Sequence, residues 1–218
     1  MTLNTQTRQT ARSTSLLVTI FLSLFYSPIK TQALGNIAAL PTFADFSASI
    51  QNGDAKTSRG VYVANVLALP IVQQPASNAG YVSSTDGVIT QFSMPSQYGN
   101  VGLLAHNNLS GKLFSQLTPG QEVRLVYGDG KTEVFVINEV LRFQALQPTS
   151  PYSSFRNLDK DETLTAEQMF KRVYLGDRHV TFQTCIDANG NASWGRLFVI
   201  AIPKSQVMAG QFSAKFQQ

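Results

Sequence analysis

The segment VRLVYGDGKTEVFVI, residues 123–137, decides the fold class. Two runs rich in Val, Leu, Tyr, Phe and Ile stand either side of Gly128-Asp129-Gly130. Branched and aromatic side chains suit the pleated, half-buried surface of a strand. An Asp-Gly pair readily takes the positive φ of a tight hairpin turn. The segment therefore reads as two antiparallel strands, Glu122–Tyr127 and Lys131–Leu141. Similar runs bounded by Gly, Asn, Ser or Pro recur on both sides, at Val61–Leu67, Gly87–Phe92, Asn100–His106, His179–Cys185 and Arg196–Ile202. One helix is predicted among them: Thr165 is a good N-cap, Gln168 completes a capping box, and Met169, Phe170 and Val173 share one side. A second short helix fits after Pro41. Strands throughout, with one or two short helices in the loops, indicate an all-β domain closed or nearly closed into a barrel.

The 218 residues suit one domain able to bury its own core, and 43% hydrophobic against 14% charged residues excludes a disordered chain. The net charge of +4 raises the question of a nucleic-acid partner. Residues 1–33 contain Arg8, Arg12 and Lys30 and no acid, so 14 of the 17 basic residues face the 13 acidic ones elsewhere. A body that close to neutral has no broad field to attract phosphates, which argues against nucleic acid. The same N-terminal segment reads as an export signal. Two arginines precede an apolar run of 12 residues, Ser15–Tyr26, then come Pro28 and the small residues around Ala33. The run is short of the roughly 20 residues that span a bilayer, so cleavage after Ala33 is expected, with a short membrane anchor as the alternative. The predicted organisation is thus a signal or anchor at 1–33, a flexible lead-in at 34–58, a barrel at 59–204 and a polar tail at 205–218. The body is expected outside the cell or at its surface.

Export makes the single cysteine, Cys185, informative. No intramolecular disulfide is possible, and the count fits either a reactive thiol or a small buried hydrophobe. Cys185 ends a predicted strand, where loops can build a pocket around it. A thiol becomes a useful nucleophile when a base or cation stands beside it. Of the two histidines, His179 lies six residues earlier in the same strand, roughly 20 Å away at the rise of an extended chain. His179 is expected as a surface residue at the start of that strand. His106 ends the apolar run VGLLA and enters the turn NNLSG, so it is the histidine able to approach Cys185. For the cation, an antiparallel hairpin sets the end of one strand beside the start of the next, and Arg196 starts the strand after Cys185. Its fixed, permanently charged donors suit a developing oxyanion.

Thr181-Phe-Gln-Thr184-Cys185 resembles the sortase signature Thr-Leu-x-Thr-Cys, with Arg196 following at hairpin distance in WGRLFVIA. Upstream, GNVGLLAHNNLSGKLFSQLTPGQEVRLVYGDG is similar to the sortase segment that carries the catalytic histidine. The resemblance spans roughly residues 60–203. It implies a closed eight-stranded β-barrel that cleaves an LPxTG-like sorting signal of exported proteins and joins the new carboxyl end to an amine. It implies Cys185 as nucleophile, His106 as general acid/base and Arg196 as the group that positions substrate and stabilises the oxyanion. Thr184 and Asn107 would contact substrate. Phe182 departs from the signature leucine, a swap expected within the core.

No cofactor or metal is implied. Asp187, Asn189 and Asn191 have the alternate spacing of a calcium loop, but Phe198 stands where a bidentate Glu belongs. The same chemistry would serve a secreted thiol hydrolase that passes the acyl group to water. A catalytically silent barrel that binds partners at the cell surface is the third reading. The irregular stretch 144–178 leads into the Cys185 strand and is expected to set substrate choice.

Overall fold

The computed structural model describes residues 40–215. The expected signal or anchor at 1–33 lies outside the described residues. Helix α1 (Phe43–Ile50) leads into β1 (Ser58–Val63), β2 (Leu67–Gln73) and β3 (Ile89–Phe92). The one-turn helix α2 (Ser93–Ser96), β4 (Val101–Leu104) and a 3-10 helix at Ser110–Gln116 follow. Next come β5 (Glu122–Tyr127), β6 (Thr132–Ala145), the short β7 (Phe155–Asn157) and β8 (Thr163–Leu164), and helix α3 (Ala166–Tyr174). The long pair β9 (Val180–Ala188) and β10 (Asn191–Pro203) precedes α4 (Lys204–Lys215).

Strand order is β10-β9-β4-β3-β2-β1-β5-β6, and β6 pairs again with β10, which closes a barrel of eight strands. β7 and β8 extend the sheet from the far end of β6. Two pairings are parallel, β2 with β3 and β4 with β9. Alternate residues point inward, and Val61, Leu103, Leu125, Phe182 and Val199 fill the interior with Phe114 from the 3-10 helix. A second apolar layer lies outside the barrel, where Leu141, Phe143, Phe198 and Ile200 pack beneath Met169, Val173 and Tyr174 of α3. The Thr165–Gln168 capping box that starts α3 is complete. Among the described residues, no helix is long and apolar enough to cross a membrane.

The hairpin of residues 123–137 forms, with Gly130 at φ 88° in its turn. Other boundaries differ from the expectation. Val61–Leu67 is two strands, because Asn65 takes φ 62° and turns the chain between Val63 and Leu67. Asparagine tolerates that left-handed conformation better than most residues. The ten residues between Cys185 and Arg196 are mostly strand: β9 runs on to Ala188, and Asn189-Gly190, both at positive φ, make a tight turn to Asn191. Residues 192–194 bulge out before the ladder resumes at Gly195. Within the segment read as a lead-in, α1 packs on the barrel, with Phe46 buried against Gly60. A Cβ at Gly60 would come within 2.7 Å of the Phe46 ring, so any larger residue there would push the helix side chains aside.

Candidate functional site

Three neighbouring strands, β4, β9 and β10, build the site, and register alone sets its centre. In the parallel β4–β9 ladder, Leu104 stands opposite Gln183. The match continues past the end of β4: the Ala105 amide donates to the Gln183 carbonyl at 3.3 Å, and the Thr184 hydroxyl donates to the Ala105 carbonyl at 2.8 Å. Two residues beyond Leu104 and Gln183 stand His106 and Cys185. On the other side, in the antiparallel β9–β10 ladder, Arg196 is the direct partner of Cys185. Adjacent strands lie about 4.8 Å apart, so Cys185 and Arg196 sit side by side across the sheet, and His106 opens the loop that follows the neighbouring β4.

The alternation of β9 decides which side they face. Val180, Phe182 and Thr184 point into the barrel and are buried, while Gln183, Cys185 and Asp187 stand on the outer face. Two depressions open along that face. One, of about 320 Å³, is lined by His106, Asn107, Asn108, Cys185, Asp187 and the bulge residues Ala192 and Ser193. The other is an apolar groove of about 170 Å³ under α3, with Phe92, Met169, Phe170, Tyr174 and Phe198 on its walls and Gln183 and Arg196 at its polar end. The two approach each other at the Cys185–Arg196 rung. The Arg196 guanidinium donates to the carbonyls of Ser193 (2.9 Å) and Gly195 (2.8 Å), which holds it against the bulge. Burial pushes the Tyr174 phenol up, so its hydroxyl stays protonated and donates to the Gln183 side chain.

The loop after β4 is held so that His106 stays in place. The amides of Leu109 and Gly111 both donate to the His106 carbonyl at 3.0 Å. Gly111 passes so close that a Cβ would lie 2.6 Å from that carbonyl and nearer still to the Thr184 hydroxyl. Ser110 accepts from the Gly87 amide at 2.9 Å, and Lys112 pairs with Asp86 at 3.3 Å. Inside the barrel, Phe114 meets Phe182 edge-to-face at 5.3 Å. The phenylalanine that departs from the expected leucine thus clamps the histidine loop to the cysteine strand. Such a pair contributes about 0.5–1.5 kcal/mol beyond its burial.

Not every expected residue faces the cleft. Thr184 is 5% exposed and points inward, one position out of phase with Cys185, so its hydroxyl fixes the β4–β9 register instead of lining the site. Asn107 lines the cavity, and its side-chain amide reaches the Ala192 carbonyl at 3.0 Å, tying the histidine loop to the bulge. His179, expected at the surface, is buried at 7% exposure. Its ring nitrogens face the carbonyls of Asp177 (2.6 Å) and Val173 (3.0 Å), where it secures the end of α3. Its place at the start of the strand suggested a surface residue; the returning helix covers it. Gln183 and Asp187 line the two depressions and were not among the expected residues, although a period of two from Cys185 puts both on its face. Among the described residues no cluster of potential ligands could hold a metal ion.

A family model described as the sortase domain matches residues 63–204. No curated protein sequence matches the chain. Among solved structures, the chain is similar to sortase A of Listeria monocytogenes, at 13% identity over 69% of this chain and 88% of that one, with a TM-score of 0.42. It is likewise similar to sortase C-1 from Actinomyces oris, at 13% identity over 75% and 81% with a TM-score of 0.45. The Clostridium perfringens sortase D5 transpeptidase matches at 13% over 73% and 87%, with a TM-score of 0.42. Since the sortase-domain model covers most of the chain, and Cys185 follows Thr181-Phe-Gln-Thr184 on the wall of a closed eight-stranded barrel, this protein belongs to the sortase family of cysteine transpeptidases.

Proposed function

We propose that this enzyme cleaves an LPxTG-like sorting signal on exported proteins and transfers the acyl fragment to a primary amine, outside the cell or at its surface. The observation that carries the reading is that Cys185 is the ladder partner of Arg196 and lines one cavity with His106. The Cys185 thiolate attacks the scissile carbonyl, and the carbonyl oxygen takes negative charge. Arg196 opposes that charge and positions the peptide with donors held in a fixed plane. His106 gives a proton to the departing amine as the carbon–nitrogen bond breaks, which leaves a thioester on Cys185. An incoming amine yields a proton to His106 and attacks the thioester, and the thiolate is released. Water in its place would give hydrolysis. The apolar groove under α3 suits the leucine and proline of such a signal, and its walls come largely from residues 151–174. That origin supports the 144–178 stretch as the determinant of substrate choice.

Incubation with a library of LPxTG-like peptides, followed by mass spectrometry of the intact protein, tests the reading. A mass increase equal to the acyl fragment, localised to Cys185 and absent in Cys185→Ala, is the expected result. Cleavage that survives Cys185→Ala sinks the mechanism.

A further inference from the structure

Cys185 divides the outer face into two compartments. The groove beyond Arg196 is largely apolar and suits a peptide, whereas the cavity on the His106 side mixes polar and apolar surface and contains one carboxylate, that of Asp187. Asp187 is exposed, lies two residues past Cys185 on the same face of β9, and makes no ion pair among the described residues. Arg196, the ladder partner of Cys185 across the sheet, donates to the Ser193 and Gly195 carbonyls and makes no ion pair with Asp187. A carboxylate on the wall of a cavity that also contains the nucleophile and the base attracts cations into that cavity.

Resting on the transpeptidase reading above, we infer that Asp187 is the recognition residue for the amine acceptor and selects acceptors that arrive as primary ammonium ions. The acceptor ammonium docks on the Asp187 carboxylate. It passes one proton to neutral His106, which lost its own proton to the leaving amine during acylation. The freed nitrogen lone pair forms the new carbon–nitrogen bond at the thioester carbonyl. The carbon–sulfur bond then breaks and Cys185 leaves as thiolate. The second proton of the attacking nitrogen goes to solvent, which returns the thiolate and protonated His106 for the next cycle. Acylation makes no use of Asp187, so the residue decides which nucleophile resolves the thioester.

The test uses the full chain, a peptide that acylates Cys185, and two acceptors: glycinamide, mostly cationic at neutral pH, and hydroxylamine, which is uncharged there. In Asp187→Asn the rate of peptide cleavage without acceptor is expected to stay unchanged. The KM for glycinamide should rise about two- to fivefold, the scale of one solvent-exposed ion pair. The KM for hydroxylamine should not move. In the wild type the glycinamide KM should climb with added salt, and in Asp187→Asn it should not. An equal effect on both acceptors, no effect on either, or a fall in the cleavage rate itself overturns the inference; the last outcome would make Asp187 a positioning residue for His106. If no peptide acylates Cys185 in the wild type, the transpeptidase reading fails, and this inference with it.

Discussion

The two ends of strand β9 each have a histidine, and they use it in opposite ways. At the start of β9, His179 is buried with both ring nitrogens against backbone carbonyls. Its neighbour Arg178 binds Glu133 at 2.8 Å, the Tyr127 hydroxyl at 3.2 Å and the Gly99 carbonyl at 2.5 Å. Each of these polar groups has a partner within the protein. At the other end, roughly 20 Å along the strand, His106, Cys185 and Asp187 line an open cavity, and no side-chain hydrogen bond engages them among the described residues. Polar groups are paired where they stabilise a fold and left open where they meet a substrate. A histidine beside a strand is therefore informative only once its ring partners are known.

The largest effect should come from the open end. His106→Ala is expected to lower kcat for peptide cleavage by about a hundred- to ten-thousandfold, with little change in stability. Single-turnover kinetics beside a thermal melt would measure both. A mild defect would erase the contrast between the two histidines.

Arg196→Lys sharpens the same contrast at the centre of the site. The charge persists but the planar donors are lost, so kcat should fall about a hundredfold. The same assay run on this variant would show full activity if charge alone suffices, and the oxyanion role would then be removed.

His179→Ala tests the closed end. Loss of the ring leaves the Asp177 carbonyl without that partner and loosens the end of α3, while Thr181 still donates to Val173. An expected cost of about 1–3 kcal/mol should appear in denaturant melts, with KM for the peptide affected more than kcat. A drop in kcat as deep as that of His106→Ala would mean that the base has been misassigned.

The smallest effect concerns pH. Burial would push the Glu133 carboxyl up, but hydrogen bonds from Arg178 and Tyr127 outweigh it and hold the group below the usual glutamate range. Burial and the adjacent Glu133 push the Tyr127 phenol up to about 12. A carboxyl lowered by folding stabilises the protein above its unfolded value, and that stabilisation is lost as pH falls through the folded value. Wild-type stability should therefore decline on the acid side of the ordinary glutamate range, and Glu133→Gln should flatten part of the decline, by about 1 kcal/mol or less for a pair whose side chains are 33% and 31% exposed. Identical acid profiles for the two proteins would show that the network contributes nothing there.

Sequence alone determined what local chemistry encodes. The Asp-Gly hairpin, the capped helix at Thr165, and the order His106, Thr181-Phe-Gln-Thr184-Cys185, Arg196 were all legible because each depends on residues close in the chain or on a short signature. The nearness of Arg196 to Cys185 was also within reach, since one hairpin sets it. Only tertiary structure decided the rest. His106 and Cys185 lie 79 positions apart, and what joins them is a parallel pairing of β4 with β9, which no turn between them announces. The outward turn of Asp187 follows from a strand that continues past Cys185 to Ala188, where the sequence alone suggested a loop. The groove is assembled from β3, α3, β9 and β10, and the burial of His179 depends on α3 folding back over it. Long-range pairing and packing select among placements that local propensity leaves equal, because the free energy that separates them is gained only when distant segments meet.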